Sequence, residues 1–184
     1  ADSSANLLAL PDIDFGIVPL HVIVGENDYV DDDKIDLTAM QEDLSSYKGK
    51  TSTSSPSPHE WENAFGDADV VFCITITSTL SGTYNSAVIA KDIYEQNHAG
   101  RKVYVLDSLS TGPEIALFIE KIAELIKAGF APDDIYKTLL EYKDKTHLYF
   151  SLASLNNFAK NGRISPVIAA GIGLLGVRVV GKAS

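Results

Sequence analysis

The sequence predicts an α/β fold with a mainly parallel sheet flanked by helices, and three observations predict it. Apolar, β-branched runs such as Val70-Val71-Phe72-Cys73-Ile74-Thr75-Ile76 and Lys102-Val103-Tyr104-Val105-Leu106 alternate with stretches of helical period, the pattern of βαβ units. The first of these runs is nearly continuous in its hydrophobicity, as strands covered on both faces are. Polar, glycine-containing turns then follow both runs, Thr79-Leu80-Ser81-Gly82 and Asp107-Ser108-Leu109-Ser110-Thr111-Gly112. Open α/β sheets bind their ligands at such carboxyl ends of strands.

Taken in order, Asp2-Ser3-Ser4-Ala5-Asn6 supplies capping and turn residues and reads as the turn after a strand that the chain does not contain. Residues 7–10 are expected as a short helix stopped by Pro11. Residues 15–24 read as a strand, with Pro19 making it an edge or bent one. Gly25-Glu26-Asn27-Asp28 is a turn signal. The run Asp31-Asp32-Asp33 lacks the alternation and glycine of a calcium loop. It reads as a solvated turn before a helix over residues 37–47. Residues 51–55 are five consecutive hydroxyl residues, expected as a loop. Ser57-Pro58-His59-Glu60 starts a helix, with Ser57 as N-cap, Pro58 in the first helical position and Glu60 closing a capping box. A helix to about His98 follows the central turn. Pro113 starts another through Lys127, with the apolar stripe Ile115, Leu117, Phe118, Ile119, Ile122 and Ile126. Asp133 and Asp134 begin a further helix. Residues 147–152 form a strand, followed by a short helix, the turn at 160–164 and a strand at 177–180.

Composition narrows the function. The chain has 184 residues, 45% hydrophobic and 22% charged, enough for a sizeable core. Its net charge is −10, from 25 acidic and 15 basic residues, the opposite of the balance that nucleic-acid binding requires. The same acidity disfavours an anionic membrane surface. The longest apolar run, residues 167–177, is too short to span a bilayer, so no stable membrane insertion is expected, and the expected location is cytoplasmic. The single cysteine, Cys73, sits inside an apolar run and reads as a buried small hydrophobe rather than a nucleophile.

Several motifs lead nowhere. Gly171-Ile172-Gly173-Leu174-Leu175-Gly176 matches the dinucleotide fingerprint by letter, but its strand and helix stand in the wrong order. No serine lies in a G-x-S-x-G elbow. The four histidines share no metal-ligand spacing. The strongest candidate is Ser81-Gly82-Thr83. Ser81 is expected to cap the helix, Gly82 to let a ligand approach the backbone, and the hydroxyl with nearby N–H groups to donate to a carboxylate or phosphate. The alternative is a hydrolase or transferase acting on a small acyl or phosphoryl substrate, with Ser81 as nucleophile. No general base is evident beside it.

Thr53-Ser54-Ser55-Pro56-Ser57-Pro58 resembles the T-S-x-P-S motif of the DegV family, and Leu80-Ser81-Gly82-Thr83-Tyr84-Asn85-Ser86-Ala87 resembles its L-S-G-T-Y-x-S-A motif. Asp2-Ser3-Ser4, Val105-Leu106-Asp107-Ser108 and the stretch from Leu155 through Gly162-Arg163-Ile164 resemble further landmarks in the family's order. The resemblance implies a fatty-acid-binding protein of two domains, the non-catalytic carrier of a bacterial fatty acid kinase system. Such a carrier holds a long-chain fatty acid in a tunnel between its domains, needs no other cofactor, and presents the carboxylate to a separate kinase catalytic subunit. By position, Thr53 and Ser81 bind the carboxylate, Gly82 adds an amide, Ser54 adds a further hydroxyl and Arg163 makes a rim contact. The implied division is a DegV-like N-terminal α/β domain over residues 1–150, lacking its first strand. Residues 151–184 would be a linker and the start of a second domain that is largely absent, along with the family's carboxylate-contacting histidine.

Overall fold

The structure, a computed structural model, describes residues 1–152, 155–162, 165 and 179–183. Arg163 and the Gly171-to-Gly176 run lie outside the described residues. A single 3-10 turn, Ser3–Ala5, comes first, capped by Asp2. The strands β1 (His21–Val24) and β2 (Asn27–Val30) precede helix α1 (Leu37–Ser46) and strand β3 (Ser52–Ser54). Then come α2 (Pro58–Phe65), β4 (Val70–Thr75), α3 (Thr83–Asn97), β5 (Lys102–Asp107), α4 (Pro113–Lys127) and α5 (Pro132–Lys143). Strand β6 (Tyr149–Leu152), helix α6 (Asn156–Lys160) and strand β7 (Val179–Lys182) complete the order.

These elements form two compact units. One comprises Ala1–Leu20 and Ser55–Leu148, the other His21–Ser54 and Tyr149–Ala183. The second unit is therefore discontinuous in sequence, whereas a division at residue 150 keeps His21–Ser54 with the first.

In the first unit β4 and β5 pair in parallel, from Val70 opposite Lys102 to Thr75 opposite Asp107. Alternation along the two strands sends side chains to opposite faces. Ile74 and Leu106 face Ile115, Phe118, Ile119, Ile122 and Leu125 of α4 and Ile135 and Leu139 of α5. Cys73, Val103 and Val105 face Trp61 and Phe65 of α2 and Ala87, Ala90 and Tyr94 of α3. A helix–sheet–helix sandwich results. Phe65 and Tyr94 meet edge to face, 5.5 Å between ring centres. The apolar stripe of α4 is buried as expected except at Leu117 and Ile126, which remain partly exposed.

Local signals explain most boundaries. Ser57 and Glu60 form the full reciprocal capping box, and Pro58 sits in the first turn of α2. Pro113 likewise opens α4. Three expectations need correction. Residues 7–10 are not helical. The turn before them ends on Asn6 in a left-handed conformation, and Pro11 leaves too few residues for a helical turn. The strand expected over residues 15–24 breaks at Pro19, which has no N–H to give a ladder. Val18, before it, makes a parallel bridge to Asp2 in the first unit. After it β1 is not an edge strand but the middle strand of the antiparallel sheet β2-β1-β3 in the second unit. The hydroxyl run is not wholly a loop either, because Ser52–Ser54 pair with β1, Thr53 opposite Val22 and Ser54 opposite His21. In the same unit β6 and β7 are antiparallel.

Truncating Phe118, fully buried against α4's neighbours, is expected to cost about 3–5 kcal/mol in Phe118→Ala. Ser57→Ala, which removes only the cap, should cost about 1 kcal/mol. Urea unfolding followed by circular dichroism measures both, and equal losses would contradict this division of roles.

Candidate functional site

Three turns of the first unit meet at the carboxyl ends of β4 and β5. Their junction is Asp2, whose side chain is 0% exposed. One carboxylate oxygen accepts the Ile76 N–H at 2.6 Å, and the other accepts the Ser4 N–H and hydroxyl at 3.1 and 2.5 Å. Burial raises the Asp2 carboxyl above its ordinary value, and the hydrogen bonds from Ser4 and Ile76 offset only part of that rise. The Thr77 N–H donates to the Ser110 carbonyl at 2.9 Å, and the Gly112 N–H donates to the Ser4 carbonyl at 2.9 Å. Asp107 accepts the N–H groups of Ser78 and Leu109, both at 3.1 Å. The turns at 2–6, 76–82 and 107–112 are thus tied into one hydrogen-bonded assembly, along one end of the strands as the topology predicts.

The start of α3 emerges from this assembly. Ser81 is half-buried and Gly82 exposed. The helix begins one residue later than expected, with Gly82 as the N-cap and no side-chain cap from it. Ser81 Oγ instead accepts the Thr83 N–H at 3.3 Å and is hydrogen-bonded to Thr83 Oγ1 at 2.7 Å, with either hydroxyl able to donate. A serine that bonds two residues ahead forms a local turn in place of a cap. Among the described residues the N–H groups of Gly82, Tyr84 and Asn85 have no hydrogen-bond partner, and α3 carries no acidic residue in its first turn. An uncapped helix start of this kind holds partial positive charge and free donors.

The other expected site residues lie elsewhere. Thr53 and Ser54 are exposed on β3 in the second unit, whereas Ser81 and Gly82 belong to the first. The sequence placed Thr83 in its strongest motif and Ser108 and Ser110 in a polar turn, but it assigned no individual role to these hydroxyls or to Thr77, and all four are buried. Their clustering at strand ends was the available signal. Cys73 is 1% exposed, and burial pushes its thiol up to about 12, which keeps it protonated and unreactive. Among the described residues no group of His, Cys, Asp and Glu could hold a metal ion, and no helix is long and apolar enough to cross a membrane. An apolar cavity of about 220 Å³ lies along β4, walled by Phe15, Trp61, Phe65, Phe72 and Ile122 among others. None of the turn residues lines it, so it does not serve the polar site.

The family model of DegV matches residues 1–184. The chain belongs to the DegV family. A DegV domain-containing protein of Streptococcus pneumoniae is 40% identical over 188 residues, covering 100% of this chain and 67% of its own length. Two solved structures are similar over the whole chain. A DegV family protein from Eubacterium eligens, loaded with heptadecanoic acid, is 39% identical with a TM-score of 0.94. The Streptococcus pneumoniae fatty acid kinase B3 protein, loaded with linoleic acid, is 40% identical with a TM-score of 0.95. This DegV chain spans 66% of each of those two. The superposition agrees with the α/β architecture described above.

In this DegV chain, Asp2→Ala strips the Ile76 N–H of its acceptor. Leaving a buried donor unpaired costs about 1–3 kcal/mol, and the loss should appear in urea unfolding. Protection of the Ile76 amide against hydrogen exchange should fall in parallel. An unchanged amide would show that Asp2 does not hold the turn.

Proposed function

We propose that the protein is a non-catalytic carrier that binds a long-chain fatty acid by its carboxylate. It presents that carboxylate to a separate fatty acid kinase catalytic subunit, in the cytoplasm and without a further cofactor. The observation that carries this reading is the open start of α3. Hydroxyl Ser81 stands beside free N–H groups there, with no acidic side chain in the first turn to compete for them. That arrangement suits a carboxylate, which accepts hydrogen bonds and favours the positive end of a helix. Support comes from the relatives loaded with heptadecanoic and linoleic acids, which match this chain along its whole length.

In this reading Ser81 donates its hydroxyl and Gly82 its amide. Thr53 and Ser54 add hydroxyls from β3, and Arg163 contacts the rim. The acyl tail supplies most of the affinity, at about 0.8 kcal/mol per buried CH₂, and the donors supply orientation. A nucleophilic role for Ser81 would need a base on its hydroxyl, and the partners that hydroxyl makes are Thr83 Oγ1 and the Thr83 N–H.

Organic extraction and mass spectrometry of the purified protein should recover a fatty acid. Ser81→Ala and Thr53→Ala should each weaken its binding by about tenfold, and the double variant should fail to retain it while remaining folded. Across saturated acids, affinity should fall by about tenfold or more for every two carbons removed. If extraction recovers no lipid and added fatty acid leaves Tm unchanged, the carrier reading fails.

A further inference from the structure

We propose that Ser55 is a further headgroup ligand, the residue that makes the site at the start of α3 select an acid over an uncharged lipid. The inference rests on the fatty-acid reading above and adds to it a residue that the motif resemblance leaves as a variable position.

The position of Ser55 is fixed by the sequence that follows it. A residue before proline is held to extended backbone, and Pro56 is itself buried. Directly after it, Ser57 is locked into the capping box, its N–H donating to Glu60 at 2.8 Å while its Oγ accepts the Glu60 N–H at 3.3 Å. Ser55 therefore enters α2 from a rigid lead, not from a mobile loop.

That lead places the Ser55 hydroxyl on Gly82. A Cβ added at residue 82 would lie 3.3 Å from Ser55 Oγ, closer than an ordinary van der Waals contact. Gly82 has φ −74 and ψ −3, a conformation open to every L-residue. The backbone does not require glycine here, but a methyl group would press on the Ser55 hydroxyl and move it by a few tenths of an ångström.

The two helix starts beside this contact differ in charge. α2 and α3 run side by side in the same sense, with Ser55 against Gly82 at one end and Phe65 against Tyr94 towards the other. The start of α2 already holds a carboxylate, since Glu60 closes its capping box. The start of α3 holds none. An anionic headgroup at this corner is drawn to the α3 amides, where Ser81 precedes Gly82 and Ser55 stands against it. Both hydroxyls donate to the carboxylate, and neither gains as much from an alcohol.

Heptadecanoic acid and the alcohol of the same chain length separate the roles. Ser55→Ala should weaken binding of the acid by about tenfold, the worth of one hydrogen bond to a charged group, and leave the alcohol within about twofold. Ser55→Thr, which keeps the hydroxyl, should bind the acid like the parent. Gly82→Ala should lose the acid to a similar degree because its methyl displaces the hydroxyl. The double variant Ser55→Ala/Gly82→Ala should be no worse than Ser55→Ala alone, as residues sharing one interaction behave. Thermal unfolding of each variant verifies the fold. If Ser55→Ala binds the acid like the parent, or loses acid and alcohol equally, Ser55 is not a headgroup ligand and the carrier reading stands. If the parent binds neither lipid, the carrier reading itself fails and takes this one with it.

Discussion

The Asp2 carboxylate is enclosed on every side and yet accepts three hydrogen bonds, from the Ile76 N–H and from the N–H and hydroxyl of Ser4. Burial opposes its charge, and those donors offset part of the opposition. The balance matters because Ile76 is the first residue beyond β4. Whatever holds Ile76 decides where the chain goes next, and it goes through Thr77 to Ser81 and the start of α3. The Thr77 N–H then reaches the Ser110 carbonyl, so the third turn is held to the same frame. A donor array aimed at a ligand works only if it does not reorganise when the ligand leaves. This assembly supplies that rigidity from buried backbone pairs.

The packing beneath it has the same logic. α2 and α3 cover one face of β4 and β5 with Trp61, Phe65, Ala87, Ala90 and Tyr94, and the small alanines let α3 lie close to the strands. α4 and α5 cover the other face. With both faces sealed, the three turns at the carboxyl ends of the strands use many of their polar groups on one another. Among the described residues the buried Ser110 hydroxyl and the first N–H groups of α3 are left over. α2 has closed its own start with Glu60. α4 and α5, which also lack a side-chain cap, carry acidic residues in their first turns, whereas α3 has neither.

What the sequence reveals of this arrangement follows from how local each signal is. The capping box at Ser57, the proline at the head of α4 and the apolar runs of β4 and β5 are encoded within a few residues, and all appear where their residues place them. Strand β3 is different. Nothing in five consecutive hydroxyl residues predicts pairing, and Thr53 and Ser54 become a strand only because β1 lies opposite them. Pro19 was legible as a disruption but not as the point where the chain passes from one unit to the other, which depends on non-local partners. At the site itself, Ser81 and Gly82 were legible from their motif. The displacement of the cap by one residue was not, and it goes with the engagement of the Ser81 hydroxyl by the N–H and hydroxyl of Thr83. Asp2 was visible only as a turn residue, since its role depends on Ile76, far along the chain.

The central claim is that a fatty carboxylate is held in its charged form by hydroxyls and helix-terminal amides. Carbon-13 NMR of a carboxyl-labelled fatty acid bound to the protein, followed through a pH titration, tests it most directly. Donors that favour the anion should depress the bound carboxyl's pKa below that of the free acid by about 1 unit or more. A bound carboxyl that titrates at or above the free value would contradict the account.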